Sequence, residues 1–187
     1  MIKIGITGSL SSGKTTVSKI LSSKKHPLFS ADNVVKNLYK KDSFKKLISK
    51  KFGIKNQLNL KKMIKEKILK DKSNVKKLEN IVHPLVRKEM RKFLKRNINR
   101  NQIFFEIPLL IESKLMKNFD IILFVKARKK IRLKRFKLKG GDEKLFHILN
   151  NKQFSDQIKM KHCDYIINNE KNIKILKKKL SDILNRI

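Results

Sequence analysis

Four residues near the beginning of the chain have the spacing of a phosphate-binding loop. Gly8, Gly13, Lys14 and Thr15 match the pattern G-x-x-x-x-G-K-[ST]. In this pattern, backbone N–H groups surround a β-phosphate and the lysine reaches the β- and γ-phosphate oxygens. Gly13 allows the backbone to approach the anion closely, and Thr15 is placed to give its hydroxyl to a phosphate-bound Mg²⁺. Residues Gly8–Thr16, called the phosphate loop below, are therefore predicted to bind the polyphosphate of a nucleotide.

An apolar run precedes the phosphate loop, and a helical pattern follows it. Ile2, Ile4 and Ile6 lie in a short β-branched run that is typical of a buried strand. A helix is predicted from near Lys14 to about Ser23, and its first N–H groups and positive dipole end favour an anion. Strand, loop and helix in this order form the context that confirms such a motif.

Strands and helices alternate along the rest of the chain. Further strands are predicted at residues 27–29, 103–106, 121–125 and 165–167, with helical patterns between and after them. This alternation predicts an α/β fold, a doubly wound parallel sheet of the P-loop NTPase type. We expect a single domain whose core comprises about residues 1–40, 101–127 and 142–187, with a helical insertion at about 41–100 and a basic lid at about 128–141.

Four residues outside the loop are candidates for the site from local sequence. Asp32 follows a predicted strand, so it can face a substrate beside the phosphate loop or cap the next helix. His83 and Arg87 are four apart beside Pro84, which is predicted to kink or end its helix, but a single histidine is often structural. Glu106 ends another predicted strand, where an acid can orient Mg²⁺-bound water.

The basic segment 128–139 precedes Gly140 and Gly141 and also has two interpretations. In small phosphate-transferring enzymes such a segment closes over the nucleotide, excludes water and neutralises developing charge. The alternative is a solvated helix face, since most charge runs are solvated.

The net charge of +34 raises the question of a nucleic-acid partner. The chain has 41 lysines and eight arginines, and they are spread over its whole length. This distribution favours a generally basic surface over a dedicated nucleic-acid patch. No apolar stretch approaches the roughly 20 residues of a membrane span, and the first eight residues are too short for a signal peptide. We expect a cytoplasmic protein, whose single cysteine, Cys163, is a packed thiol and whose His162–Asp164 run does not indicate zinc.

Six segments, taken in order, resemble the bacterial dephospho-CoA kinase family. They span nearly the whole chain, which makes the resemblance far more specific than the phosphate loop alone. The segments are Gly8–Thr16, Ser30-Ala31-Asp32, His83-Pro84-Leu85-Val86-Arg87, Pro108–Glu112, Arg135–Gly141, and the late set Gln153, Lys159 and Asp164.

The resemblance implies a kinase that transfers the γ-phosphate of ATP to the ribose 3′-hydroxyl of dephospho-CoA, the last step of coenzyme A biosynthesis. It implies ATP and Mg²⁺ as cofactors, Thr15 as a metal-placing residue, and the small molecules ATP and dephospho-CoA as partners. The implied catalytic residues are Lys14, Asp32 and Arg135. The implied ATP-binding residues are Gly8, Ser11, Ser12, Gly13, Lys14, Thr15, Thr16, Arg135 and Lys139. The implied acceptor-binding residues are Asp32, His83, Arg87, Pro108, Leu109 and Glu112.

The chain departs from the family pattern at several positions. Ser30 stands where the family has a first aspartate, Lys36 where a histidine is common, and Lys139 and Gly140 where arginine and aspartate are common. Lysine does not reproduce the bidentate geometry of arginine.

Two other functions are the alternatives. One is another P-loop kinase for a nucleoside or nucleotide, and the other is a nucleic-acid-binding ATPase. A GTPase is disfavoured, because Asn151–Phe154 fails the N-K-x-D pattern at its last position.

Overall fold

The computed structural model describes residues 1–23, 25–55 and 58–187. The described strands are β1 (Ile2–Gly8), β2 (Leu28–Ser30), β3 (Gln102–Glu106), β4 (Ile121–Lys126) and β5 (Tyr165–Asn168). The described α-helices are α1 (Lys14–Ser22), α2 (Ala31–Leu38), α3 (Asp42–Phe52), α4 (Leu60–Lys70), α5 (Ser73–Arg96), α6 (Lys129–Leu138), α7 (Glu143–Asn151), α8 (Asp156–Met160) and α9 (Ile173–Leu184). The chain divides into two compact units, residues 1–30 with 93–187, and residues 31–92.

The larger unit contains a five-stranded parallel sheet with the strand order β2-β3-β1-β4-β5. In the register of the central strand, Ile4 pairs with Phe104 of β3 and with Ile121 of β4. Because the strands are parallel, their carboxyl ends meet at one edge, where ligands of such sheets bind. The predicted α/β fold with a parallel sheet is confirmed.

Apolar side chains cover the sheet on both faces. Phe104 belongs to a buried cluster with residues of β1, β4, β5, α1 and α9. Its neighbour Phe105 points to the opposite face, as successive strand residues do, and packs on Phe29, Phe93 and Phe119. Burial on both faces explains why the strands are nearly continuous apolar runs in the sequence.

The smaller unit consists of α2, α3, α4 and most of α5, and it contains buried residues from each of them. The α5 helix runs through Pro84 without ending there, so the predicted interruption is not a helix end. Proline removes one backbone hydrogen bond, and this helix of 24 residues continues on both sides of Pro84. The helical insertion expected at about residues 41–100 overlaps this unit, and its role in substrate binding stays a prediction.

Candidate active site

The phosphate loop connects the end of β1 to the start of α1 at the carboxyl edge of the sheet. Gly13 immediately precedes α1 and has a left-handed backbone with φ of 99°. A side chain there would be strained, and its Cβ would overlap the amide group of Asn169. The Gly13 carbonyl accepts from the N–H groups of Thr16 and Val17, so the N–H groups before them lie at the open end of the helix. The start of α1 therefore has the backbone arrangement that binds anions.

Lys14 brings a positive charge to the loop. Its side chain is 7% exposed, and its ammonium nitrogen donates to the carbonyl oxygens of Gly8 at 3.0 Å and Ser9 at 2.9 Å. These neutral acceptors hold the ammonium group at the loop without cancelling its charge. A phosphate bound there would gain a charge-assisted contact.

Glu106 lies beneath the start of α1, at the carboxyl end of β3. It is 1% exposed. Its Oε1 accepts from the Thr15 hydroxyl at 2.6 Å, and its Oε2 accepts from the Ser18 hydroxyl at 3.3 Å. Hydroxyl and carboxylate oxygens are the hard donors that Mg²⁺ prefers, and Mg²⁺ in nucleotide sites takes only one or two protein groups besides the phosphates. The pair Thr15 and Glu106 therefore fits a magnesium ion.

Arg135 of α6 contacts the phosphate loop directly. Its Nη1 donates to the Ser12 carbonyl at 3.1 Å, and its Nη2 donates to the Asn169 carbonyl at 2.9 Å. The Asn169 side chain donates to the same Ser12 carbonyl at 2.8 Å. The predicted ATP-binding residue Arg135 is thus placed beside the loop. Lys139 follows the last residue of α6 and is exposed, and the structure records no hydrogen bond from it to the described loop residues.

The segment Pro108–Glu112 follows β3 and is fixed by two sets of contacts. The Pro108 carbonyl accepts from the Thr7 hydroxyl at 3.1 Å. Glu112 Oε1 lies 2.6 Å from the ammonium nitrogen of Lys159, which is fully buried, and accepts from the Phe154 N–H at 3.2 Å. Among the described residues, the buried Oε2 of Glu112 has no hydrogen-bond partner.

The remaining predicted site residues belong to the smaller unit. Asp32 is the second residue of α2, inside its first turn, where a carboxylate interacts favourably with the helix dipole. His83 and Arg87 lie one turn apart on α5. Burial lowers the pKa of His83, an effect that Glu79 opposes and Arg87 increases. His83 is therefore neutral at neutral pH.

Four residues that contact the loop had no predicted role: Asn169, Arg132, Gln153 and Asp156. A signal existed for Asn169, because it directly follows β5 at the edge where parallel strands present their ligand-binding residues. Arg132 and Asp156 are polar residues of helices, and no spacing distinguishes them from solvated ones. Gln153 belongs to the late set of the family pattern, which came without a function.

The described ranges contain no group of three or more His, Cys, Asp or Glu side chains that could hold a metal ion. None of their helices combines the length and the apolar character needed to cross a membrane.

Burial, with a contribution from Asp164, raises the pKa of Cys163 to about 12, so its thiol is neutral at physiological pH.

Comparison with known proteins agrees with this geometry. The family model of dephospho-CoA kinase matches residues 2–174. A dephospho-CoA kinase of Rickettsia typhi is 32% identical over 188 residues, which cover 100% of this chain and 98% of the relative. Among solved structures, a dephospho-CoA kinase from Campylobacter jejuni superposes with a TM-score of 0.67 at 25% identity, covering 98% and 96% of the two chains. A Thermus thermophilus protein gives a TM-score of 0.78 at 25% identity, covering 100% and 97%.

These matches confirm the resemblance found in the ordered motifs. They also confirm the predicted enzyme class, an ATP-using kinase with a P-loop fold and a role in coenzyme A biosynthesis. The family match extends over both compact units, from β1 into the first residues of α9. The chain belongs to the dephospho-CoA kinase family.

Proposed function

We propose that this protein transfers the γ-phosphate of ATP to the ribose 3′-hydroxyl of dephospho-CoA, the final step of coenzyme A biosynthesis. The observation that carries the proposal is the phosphate loop, with Lys14, Glu106 and Arg135 around it, in a chain whose residues 2–174 match this family. Phosphoryl transfer needs little covalent chemistry from a protein. Positioning of the reactants and stabilisation of charge are the main catalytic contributions.

In this proposal the phosphate loop and α6 bind ATP. The N–H groups at the start of α1 bind the phosphate oxygens, and the ammonium group of Lys14 lies between the β- and γ-phosphates. Arg135 supplies a second positive charge from α6, and Lys139 contacts the nucleotide from the end of that helix. These charges stabilise the transferring phosphoryl group.

Thr15 and Glu106 would hold Mg²⁺ together with the nucleotide phosphates. A magnesium ion supplies charge neutralisation and orientation of the β- and γ-phosphate oxygens when it is bound. The chain's own contribution is the fixed Thr15 hydroxyl, which the buried Glu106 carboxylate holds at 2.6 Å.

Asp32 accepts or orients the proton of the attacking 3′-hydroxyl. Support comes from the family resemblance and from the position of Asp32, two residues after Ser30, which ends β2 in register with Glu106. A carboxylate within hydrogen-bond reach of the hydroxyl is what this step requires. Ser30, in place of a first aspartate, leaves this role to a single carboxylate.

The acceptor is bound by His83, Arg87, Pro108, Leu109 and Glu112. A neutral His83 can donate or accept a hydrogen bond, and Arg87 supplies a cation for an acceptor phosphate. Glu112 belongs to this set through the family resemblance, and its carboxylate is held in place by the buried Lys159. A cytoplasmic location, small-molecule partners and the absence of a nucleic-acid partner belong to the same proposal.

The site of phosphorylation is tested by product analysis. The purified protein is incubated with Mg-ATP and either dephospho-CoA or its 3′-deoxyribose analogue, and the products are examined by mass spectrometry and ³¹P NMR. We expect one added phosphate on dephospho-CoA, as a 3′-monoester, and an unmodified analogue. Phosphorylation of the analogue would overturn the assignment of the 3′-hydroxyl.

The role of Asp32 is tested with Asp32→Asn and the matched control Asp42→Asn. Both aspartates lie in the first turn of a helix, and Asp42 is an exposed residue paired with Lys45. Asp32→Asn is expected to reduce kcat by about 10² to 10⁴, the range for general base catalysis, with little change in ATP affinity. Asp42→Asn is expected to leave kcat unchanged. Equal, small effects of the two changes would reduce Asp32 to a helix-stabilising residue.

A further inference from the structure

The first part of the phosphate loop, Ser9–Ser11, is held by side chains from the far end of the sequence. We call this segment the front of the loop. The Leu10 N–H donates to Gln153 Oε1 at 3.0 Å, and the hydroxyl of the buried Ser9 donates to a carboxylate oxygen of Asp156. The two partners lie 143 and 147 residues further along the chain. Neither contact is part of the phosphate-loop motif.

A third side chain fixes the other peptide group of Leu10. Arg132 is 6% exposed, and its Nη1 donates to the Leu10 carbonyl at 3.3 Å and to Asn150 Oδ1 at 2.7 Å. Its Nε donates to the Ala127 carbonyl at 3.0 Å. Burial lowers the pKa of Arg132, and the charge of Asp156 opposes that shift. The front of the loop therefore has backbone and side-chain groups bound on both sides of Leu10.

The segment that supplies Gln153 and Asp156 is itself anchored. The Ser155 side chain caps α8 by accepting from the Ile158 N–H. One turn after Ser155, the fully buried Lys159 pairs with Glu112 at 2.6 Å. Because this segment is fixed at both of these points, its side chains have little conformational freedom, and it can hold the loop in one position.

The two ends of the loop have different roles: the front is held in position by other side chains, and the N–H groups near α1 remain for the anion. The Leu10 N–H is used by Gln153, so the anion must be bound by N–H groups closer to α1. Ser11 has a left-handed backbone with φ of 58°, which is unfavourable for serine and persists where surrounding contacts enforce it. The contacts to Ser9 and Leu10 are next to this residue in the chain.

We propose that Gln153 and Asp156 are positioning residues that hold the front of the phosphate loop in its nucleotide-binding conformation before the nucleotide arrives. The inference rests on the proposed function, since it assigns nucleotide binding to this loop. Preorganisation of a loop increases affinity because the cost of ordering it is met during folding. Loss of either contact is therefore expected to weaken nucleotide binding more than it changes turnover at saturation.

The test compares Gln153→Met and Asp156→Ala with the wild-type protein. The dissociation constant of Mg-ADP is measured by calorimetry, together with KM for ATP, KM for the acceptor and kcat. Each variant is expected to raise the Mg-ADP dissociation constant and KM for ATP about three- to tenfold, the effect of one lost hydrogen bond. KM for the acceptor is expected to stay unchanged. Asp156→Asn, which retains an acceptor oxygen for Ser9, is expected to restore most of the affinity.

A purely structural role is distinguished by a control at another helix. Asn172→Ala removes a side chain that caps α9 by accepting from the Ile175 N–H. This change is expected to lower thermal stability without changing the Mg-ADP dissociation constant. Ser9→Ala removes the same contact with Asp156 by a substitution in the loop. It therefore tests the contact even if a substitution in α8 impairs folding. Combined with Asp156→Ala it is expected to have no additional effect, as in a closed mutant cycle.

The outcomes separate the inference from the proposed function. Wild-type protein that does not bind Mg-ADP would overturn the proposed function. Wild-type protein that binds Mg-ADP, with Gln153→Met, Asp156→Ala and Ser9→Ala variants of equal affinity, would overturn the inference alone. Variants that lose stability as Asn172→Ala does, with an unchanged Mg-ADP dissociation constant, would overturn it as well.

Discussion

The front and the rear of the phosphate loop are built in different ways. The rear, Gly13–Thr16, is defined by local sequence: a left-handed glycine, then the first residues of α1 with their open N–H groups. The front, Ser9–Ser11, is held by side chains of Arg132, Gln153 and Asp156, which approach it from α6 and the α7–α8 region. The rear thus has the backbone geometry and charge that suit anion binding, and the front depends on tertiary contacts for its position.

A short motif therefore specifies a chemistry more completely than it specifies a geometry. In the proposed function, replacing a rear residue removes charge or donors that act on the phosphates directly. Replacing a front contact leaves those groups present and changes how well they are placed. Effects are therefore expected to be largest at the rear and to decrease toward the front.

The largest effect is expected for Lys14→Ala. The lost ammonium group lies at the loop in contact with the Gly8 and Ser9 carbonyls, and in the proposed function its charge stabilises the transferring phosphoryl group. We expect turnover to fall by at least about 10²- to 10³-fold with the thermal midpoint nearly unchanged. Lys19→Ala, an exposed lysine of the same helix α1, is the matched control and should keep wild-type turnover. Near-normal turnover of Lys14→Ala would contradict the expectation that substitutions in the rear of the loop have larger effects than substitutions in the front.

A smaller but still large effect is expected for Gly13→Ala. An alanine there would have a positive φ and a Cβ overlapping the Asn169 amide, so about 1–3 kcal/mol of strain is added. We expect a lower thermal midpoint and weaker Mg-ADP binding. Adding Asn169→Ala should recover part of the loss, because the overlap is relieved while the strained φ remains. An unchanged midpoint for Gly13→Ala would contradict the described loop conformation.

An intermediate effect is expected for Glu106→Gln. The amide oxygen can still accept from the Thr15 hydroxyl, but the negative charge that favours a cation is gone. We expect the Mg²⁺ concentration at half-maximal activity to rise about 10- to 100-fold, the range for changed groups around a metal. Glu170→Gln, which alters a carboxylate paired with Arg128, should leave the Mg²⁺ dependence unchanged. A common Mg²⁺ dependence for all three proteins would argue against a metal at Thr15 and Glu106.

The smallest effect is expected for Ser11→Gly at the front. Glycine adopts the left-handed region readily, so the change relieves about 1 kcal/mol of backbone strain and lessens the need for the surrounding contacts. We expect turnover within a few-fold of wild type and a smaller penalty when Gln153→Met is added. The measurement is the Mg-ADP dissociation constant of the two single variants and the double variant. An equal penalty for Gln153→Met in the two backgrounds would show that strain at Ser11 is unrelated to the Gln153 contact.

Much of the larger unit was predictable because its signals are local. The runs that became β3 and β4 are short, apolar and bounded by polar residues, as strands buried on both faces are. The helix start at Lys14 followed from the loop motif. Pro84 was a less reliable signal, since a long helix tolerates one missing hydrogen bond.

The positions of candidate site residues could be predicted where a local motif specifies them. They were less predictable where elements that are distant in the sequence meet. Lys14 and Thr15 were identified from the motif, and Glu106 from its place at a strand end. Asp156 and Arg132 gave no signal, because their contacts with Ser9 and Leu10 exist only once α6 and α8 have packed beside the loop. The smaller unit, which contains Asp32 and His83, was placed in the site by family resemblance, and their roles remain predictions.

The most direct test of this account is a coupled ADP-release assay on the purified protein with Mg-ATP. Dephospho-CoA, adenosine, AMP and single-stranded DNA are added separately, with the Lys14→Ala protein as the blank for each. We expect strong ADP release with dephospho-CoA alone, and its loss in the Lys14→Ala protein. Release that requires a nucleoside, a nucleotide or DNA, and not dephospho-CoA, would contradict the assigned acceptor and support one of the alternative functions.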